Sequence, residues 1–149
     1  ADVDRSDEDG ATPLHVASAE GRIDLARLLL EHKAGVNQAR HDGVTSLYLA
    51  YEYGHDNVAR LLLDTGADVD YAAHGGRTLL FLACSHKDHF VVAFKLLKND
   101  ADVDRSDDNG ATPLHAASES GNVCVVLLLI IDHDATINQA DDDGNSPLF

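Results

Sequence analysis

One segment of eight residues recurs along this chain at nearly constant spacing, and that recurrence limits the fold more than any other feature. Gly10-Ala-Thr-Pro-Leu-His-Val-Ala17 returns as Gly43-Val-Thr-Ser-Leu-Tyr-Leu-Ala50, Gly76-Arg-Thr-Leu-Leu-Phe-Leu-Ala83 and Gly110-Ala-Thr-Pro-Leu-His-Ala-Ala117, and a shortened copy runs from Gly144 to Phe149. The leading glycines at 10, 43, 76, 110 and 144 lie 33, 33, 34 and 34 residues apart. A second phrase keeps the same step: Ala34-Gly-Val-Asn37, Ala67-Asp-Val-Asp70, Ala101-Asp-Val-Asp104 and Ala135-Thr-Ile-Asn138, with Ala1-Asp-Val-Asp4 as the tail of a preceding unit. A period of this size marks stacked supersecondary units. We therefore read residues 1–149 as a single repeat domain, with repeats at about 5–37, 38–70, 71–104 and 105–138 and partial units at 1–4 and 139–149.

Each unit predicts a turn, a short helix, a second turn and a longer helix. Thr12 before Pro13, and Thr112 before Pro113, place a capping hydroxyl ahead of a proline in the first helical position. Gly21, Gly54 and Gly121 follow the turn glycine by eleven residues, where a helix end calls for positive φ. Apolar residues then return at helical spacing at Ile23, Leu25, Ala26 and Leu28 to Leu30, and at Val58, Ala59 and Leu61 to Leu63. Unit three carries Lys87 instead of the glycine and one extra residue near His86 to Asp88. Unit four has its own extra residue near Ile131 to Asp134. Two short helices cannot bury both apolar faces alone, so each unit must stack on its neighbours. Ala17, Ala50, Ala83 and Ala117 share one repeat position, where a small side chain lets adjacent helices approach and a bulky one would pry repeats apart.

The 33-residue period with Thr-Pro-Leu-His-x-Ala resembles the ankyrin repeat, and the resemblance covers essentially the whole chain. It implies an all-α solenoid of helix-turn-helix units joined by β-hairpin-like turns, whose hairpin tips and first helices line a concave groove that binds proteins or peptides. It also implies that His15 and His115 make structural hydrogen bonds, and that Asn37 and Asn138 sit where ankyrin proteins are modified by asparagine hydroxylase. Units two and three depart from the pattern, with Thr45-Ser-Leu-Tyr48 and Thr78-Leu-Leu-Phe81. Residues 1–18 and 101–118 differ at only three positions, Glu8/Asp108, Asp9/Asn109 and Val16/Ala116. We infer duplication of a three-unit block in a longer natural array; designed repeats are nearer copies and would rarely keep two cysteines and two irregular insertions.

Charge and motifs exclude several classes of function. With 26 acidic and 11 basic residues the formal charge is -15, which repels phosphate backbones and anionic lipid and steers a basic protein or peptide toward the chain. The expected partner is thus a basic protein or peptide, not nucleic acid or a membrane. The longest apolar run, Val123 to Ile131, falls far short of the roughly 20 residues that span a bilayer. Cys84 and Cys124 lack CxxC spacing and read as free buried thiols in a reducing compartment, which places the protein inside the cell, in cytoplasm or nucleus. The acidic turn Asp7-Glu-Asp-Gly10 fails as a calcium loop, because Arg5 stands at the first ligand position and Val16 where the bidentate glutamate belongs. His86 and His89 have Asp88 between them but no third ligand in view. No nucleophile has a sequence-defined base, so the chain reads as a non-enzyme without cofactor or metal.

The partner-binding candidates gather in the degenerate middle. All four tyrosines, Tyr48, Tyr51, Tyr53 and Tyr71, lie within 24 residues, and tyrosine is enriched in binding hot spots. By the family's register Tyr53 and Glu52 stand at the exposed end of the first helix. His41, Asp42 and Val44, and then His74 and Arg77, hold equivalent hairpin positions, and His86 repeats the helix-end position. Tyr48 and Tyr51 read as packing substitutions, whereas Tyr71 suits either role. Glu8, Asp9 and Glu20 at one end, and Asp108, Asn109 and Glu119 at the other, give acidic flanks. The all-apolar run 123–131 has two readings: cover by a neighbouring domain or a second copy, or tolerated exposure of one or two aliphatics. Two further roles are compatible with the repeats, an architectural spacer in a long array and a targeting module for an enzyme domain elsewhere in the parent.

Overall fold

In the computed structural model residues 2–148 are described; Ala1, assigned above to the tail of a preceding unit, and Phe149, the last residue of the shortened copy, lie outside them. The described residues form eight α-helices: α1 (Pro13–Ala19), α2 (Ile23–Glu31), α3 (Ser46–Glu52), α4 (Asp56–Asp64), α5 (Leu79–Cys84), α6 (Phe90–Lys98), α7 (Pro113–Ser120) and α8 (Val123–Leu127), the last continued by a π-helical turn at Leu128–Asp132. Extended pairing among them is limited to two isolated antiparallel bridges, Ala39 with Thr45 and Ala72 with Thr78. The expected all-α fold of helix pairs joined by hairpin-like turns is what forms. The chain divides between Tyr71 and Ala72 into two compact units, the first holding α1–α4 and the second α5–α8.

A buried threonine opens every first helix. Thr45 Oγ1 accepts from Tyr48 N at 3.3 Å, and Thr78 Oγ1 accepts from Phe81 N at 3.1 Å. Thr12 and Thr112 instead form capping boxes, with their backbone N–H groups donating to Nδ1 of His15 and His115 at 3.0 Å in both cases. The histidines therefore satisfy helix-end donors that would otherwise be orphaned. In the first unit α1 packs on α3, and in the second α5 packs on α7. Ala17, Ala50, Ala83 and Ala117 are all 0 % exposed, as are Leu14, Leu80 and Leu114. The position read as small in sequence is thus sealed inside each unit.

The turn after α1, α3 and α7 closes in the Schellman manner. Arg22, His55 and Asn122 donate their backbone N–H to the carbonyls of Ala17, Ala50 and Ala117, while Gly21, Gly54 and Gly121 adopt φ of 68°, 76° and 68°. Gly21 has a second constraint, since a Cβ there would lie 2.5 Å from the His55 ring. Lys87 is absent from the positive-φ residues. Five residues, 85–89, separate α5 from α6, against three between α1 and α2. The extra residue lies where the sequence placed it, and the longer turn removes the need for glycine.

The second helices end by a rule the sequence reading missed. Lys33, Gly66, Asp100 and Asp134 all have positive φ, at 66°, 97°, 63° and 53°. The next residue reaches back each time: Ala34 to Leu29 O, Ala67 to Leu62 O, Ala101 to Leu96 O and Ala135 to Leu129 O. The first three bonds span five residues and the last spans six. That sixth residue is the insertion of unit four, absorbed as the π-turn at Leu128–Asp132. Side chains then tie one repeat to the next. Gly35 N donates to Asp4 Oδ1 at 2.9 Å, Asp68 N to Asn37 Oδ1 at 2.7 Å, and Thr136 N to Asp104 Oδ1 at 2.8 Å. Asp4, Asn37 and Asp104 of these phrases are latches.

Left-handed backbone costs an L-residue about 1–2 kcal/mol that glycine escapes. We therefore expect Lys33→Gly to raise the unfolding free energy by about 1 kcal/mol in urea titration. Gly21→Ala should lower it, because it meets both the positive φ and the His55 ring.

Candidate functional site

The acidic hairpin turns are structural staples. Asp7 Oδ1 accepts from the N–H groups of Asp9 and Ala11 at 3.0 and 2.8 Å, Asp107 Oδ1 from Asn109 and Ala111 at 2.9 and 3.0 Å, and Asp141 Oδ1 from Asp143 and Asn145 at 3.0 and 2.8 Å. The hydrogen bond from Asn145 holds the Asp141 carboxyl below its usual range. Units two and three have Arg40 and Ala73 at this position. In unit two Asp42 substitutes in part, accepting from Val44 N at 3.1 Å and pairing with Arg40 at 2.9 Å. In unit three the turn runs through two glycines at positive φ, Gly75 and Gly76, and keeps the bond from Gly76 N to Ala73 O at 3.0 Å. Loss of the staple is why the middle hairpins can carry different side chains.

The candidate residues fall on these hairpins and helix ends. In the first compact unit His41 and Asp42 are exposed, Val44 and Glu52 are half-buried, and Tyr53 is 58 % exposed at the C-cap of α3. His41 N donates to Asp9 O at 3.0 Å, fixing one hairpin against the next. Tyr48 and Tyr51 are buried, and burial raises the Tyr51 phenol pKa, with Asp56 adding to the effect. Tyr71 is half-buried and lines a cleft of about 670 Å³ with His41, Asn37 and Gly35. Asn37 spends its amide on structure, donating from Nδ2 to Gly66 O at 3.1 Å besides accepting from Asp68 N.

In the second compact unit His74 and Arg77 are exposed. The Arg77 guanidinium lies 5.4 Å from the centroid of the Phe81 ring, and its Nε is 3.7 Å from Oδ2 of the buried Asp107. Arg77 is thereby held in place while half its side chain meets solvent. It borders a cleft of about 240 Å³ with Phe81, Ser85, Ala116, Glu119 and Ser120, built wholly from the first helices and the Arg77 hairpin. A larger cleft of about 700 Å³ lies between α7 and residues 141–148; in repeat register it matches the seat of α3 on α1. His86 is exposed in the turn 85–89, its ring 4.8 Å from that of His89. The turn is braced by Asn122 Nδ2, which donates to Lys87 O at 3.1 Å. Among the described residues no three His, Cys, Asp or Glu side chains converge as metal ligands.

One sequence expectation is corrected. Cys84 is buried, and desolvation pushes its thiol pKa far up, but Cys124 is exposed on α8. Its helix is apolar all round, so residue type gave no sign of which side faces out. Comparison with the same positions of α2, where Asp24, Arg27 and Glu31 are exposed, would have shown it.

Buried capping threonines, sealed alanines and latched hairpins repeated along one chain define a helical repeat protein. The chain belongs to the ankyrin-repeat family: the family model described as ankyrin repeats (3 copies) matches residues 1–73 and 71–141. Members are in general protein–protein interaction modules without enzymatic activity. No curated protein matches the chain. Among the described residues no helix is long and apolar enough to cross a membrane.

His15 supplies a check on the buried capping network. Its Nδ1 accepts from Thr12 N, so the ring proton sits on Nε2, which makes no hydrogen bond of ordinary geometry although the carbonyls of Val44 and Gln38 favour the charged form. Burial is the largest influence, and it lowers the pKa below 6.5. The fold therefore disfavours protonation. Stability contributed here is complete above 6.5 and is lost as pH falls from there toward the lowered folded value. His15→Gln keeps an acceptor at the third helical position. The wild-type advantage over this variant in urea unfolding is expected to shrink from about pH 8 to about pH 5; an equal advantage at both would contradict the assignment.

Proposed function

We propose that the chain binds a basic protein or peptide through its hairpins and first helices, with Tyr53 as an anchor on the first compact unit and His74 and Arg77 on the second. The carrying observation is the division of the tyrosines: Tyr48 and Tyr51 are buried, whereas Tyr53 presents 58 % of its surface to solvent. An aromatic held at the end of a short, capped helix offers contact area at little entropic cost. Arg77 adds a guanidinium already placed by Phe81 and Asp107. His41, Asp42, Val44 and Glu52 surround the first anchor in this reading, and His86 extends the second.

Charge supports the choice of partner. Glu8, Asp9 and Glu20 are exposed on the first unit, and Asp108 and Glu119 on the second. Glu20 pairs with Arg22 at 2.7 Å, both side chains being well exposed, so this pair is screened and exchangeable. Surface charge of this kind governs encounter more than final affinity.

The test begins with affinity capture to identify a partner, followed by titration of Tyr53→Ala, His74→Ala and Arg77→Gln against it, with unfolding measured in parallel. Tyr53→Ala should weaken binding at least tenfold, about 1.4 kcal/mol, without moving the unfolding midpoint. Arg77→Gln should weaken binding and cost a little stability through Asp107. Unchanged affinity in all three discards this surface.

A further inference from the structure

The outer side of the second helices changes chemistry along the chain. In α2 the outward positions hold Asp24, Arg27 and Glu31, and in α4 Asp56, Asn57, Arg60 and Asp64, all exposed. Leu28 is the only large apolar residue exposed on those two helices. In α6 the same positions are Phe90, Val91, Phe94 and Lys98, and in α8 with its π-turn they are Val123, Cys124, Leu127 and Ile131. The exposures reach 53 % at Val91, 66 % at Val123, 50 % at Leu127 and 68 % at Ile131. Helices α6 and α8 pack together within the second unit, so the two rows form one apolar surface. Clustered exposed apolar side chains of this kind mark contact sites.

We propose that this surface receives an amphipathic helix of another protein, one whose apolar stripe is flanked by acidic residues. Two side-by-side helix rows leave a shallow furrow between them, which a third helix fills with anchors at i, i+3, i+4 and i+7. The charge is as specific as the shape. From Phe90 to Lys98 and from Val123 to Ile131 the only charged residues are Lys95 and Lys98, in a chain of net charge -15. The Lys98 ammonium lies 5.5 Å from the centroid of the Phe94 ring, directly at the patch. Asp132 and Asp88 flank the surface at its ends. A second copy of the chain would bring its whole charge of -15 against the first. A short helix with acidic flanks brings few charges of its own and meets the Lys98 ammonium at the patch.

Cys124 lies within the patch and is exposed, while Cys84 is fully buried, so one thiol reports on occupancy. The probes are two synthetic helices with one leucine stripe, flanked by Glu in the first and by Lys in the second. Titration by fluorescence anisotropy at low salt should show the Glu-flanked helix binding at least about tenfold more tightly than the Lys-flanked one. It should also slow alkylation of Cys124. Phe94→Asp with Leu127→Asp, both exposed, should abolish binding and protection while the thermal midpoint stays within a few degrees, and Lys95→Glu with Lys98→Glu should reverse the preference. Equal binding of the two helices, or none, would overturn the proposal. So would a Leu127-dependent dimer in light scattering, which makes the occupant a second copy, or sedimentation with phosphatidylserine vesicles, which makes it a membrane.

Discussion

Close approach of the first helices is the constraint on which the rest of this structure depends. Ala17 and Ala50 in one compact unit, and Ala83 and Ala117 in the other, are fully buried where α1 packs on α3 and α5 on α7. Three of these alanines, Ala17, Ala50 and Ala117, also accept through their carbonyls the bond that closes the following turn. The same residue therefore sets helix spacing by its size and ends the helix by its backbone. A larger side chain would disturb both, since interiors are packed to near-crystalline density.

Many polar side chains are used by the stack itself. Hairpin aspartates at 7, 107 and 141 are consumed as staples, and Asp4, Asn37 and Asp104 as latches. These aspartates are spent on structure, whereas Glu8, Asp9, Glu20, Asp108 and Glu119 stay exposed. On the first unit Tyr53 stays exposed, and on the second His74, Arg77 and the apolar rows of α6 and α8 do.

Most of the fold was legible because it is written several times. Four copies of one segment located every first helix and its sealed alanine, with the capping threonines at 12 and 112, and the two extra residues were found by counting alone. The form those insertions take was not legible. One lengthens a turn and removes a glycine requirement; the other becomes a π-turn, and only backbone bonding distinguishes these outcomes. The left-handed ends at Lys33, Asp100 and Asp134 were hidden because residue type there does not announce positive φ. Exposure of Cys124 was hidden for a related reason: a helix with no polar residue has no periodicity to read. For the candidate site, the sequence separated packing tyrosines from an exposed one, since Tyr48 and Tyr51 replace a His and a small residue of the repeat pattern, positions that are buried in units one and three.

The account stands on the alanine row, and overfilling it tests that most directly. Equilibrium urea unfolding of Ala117→Leu should show a loss of about 1–3 kcal/mol with earlier hydrogen exchange in α5 and α7, because these helices can no longer close on one another. An unfolding midpoint and exchange pattern equal to the wild type would contradict it, and the position would then be small for no structural reason.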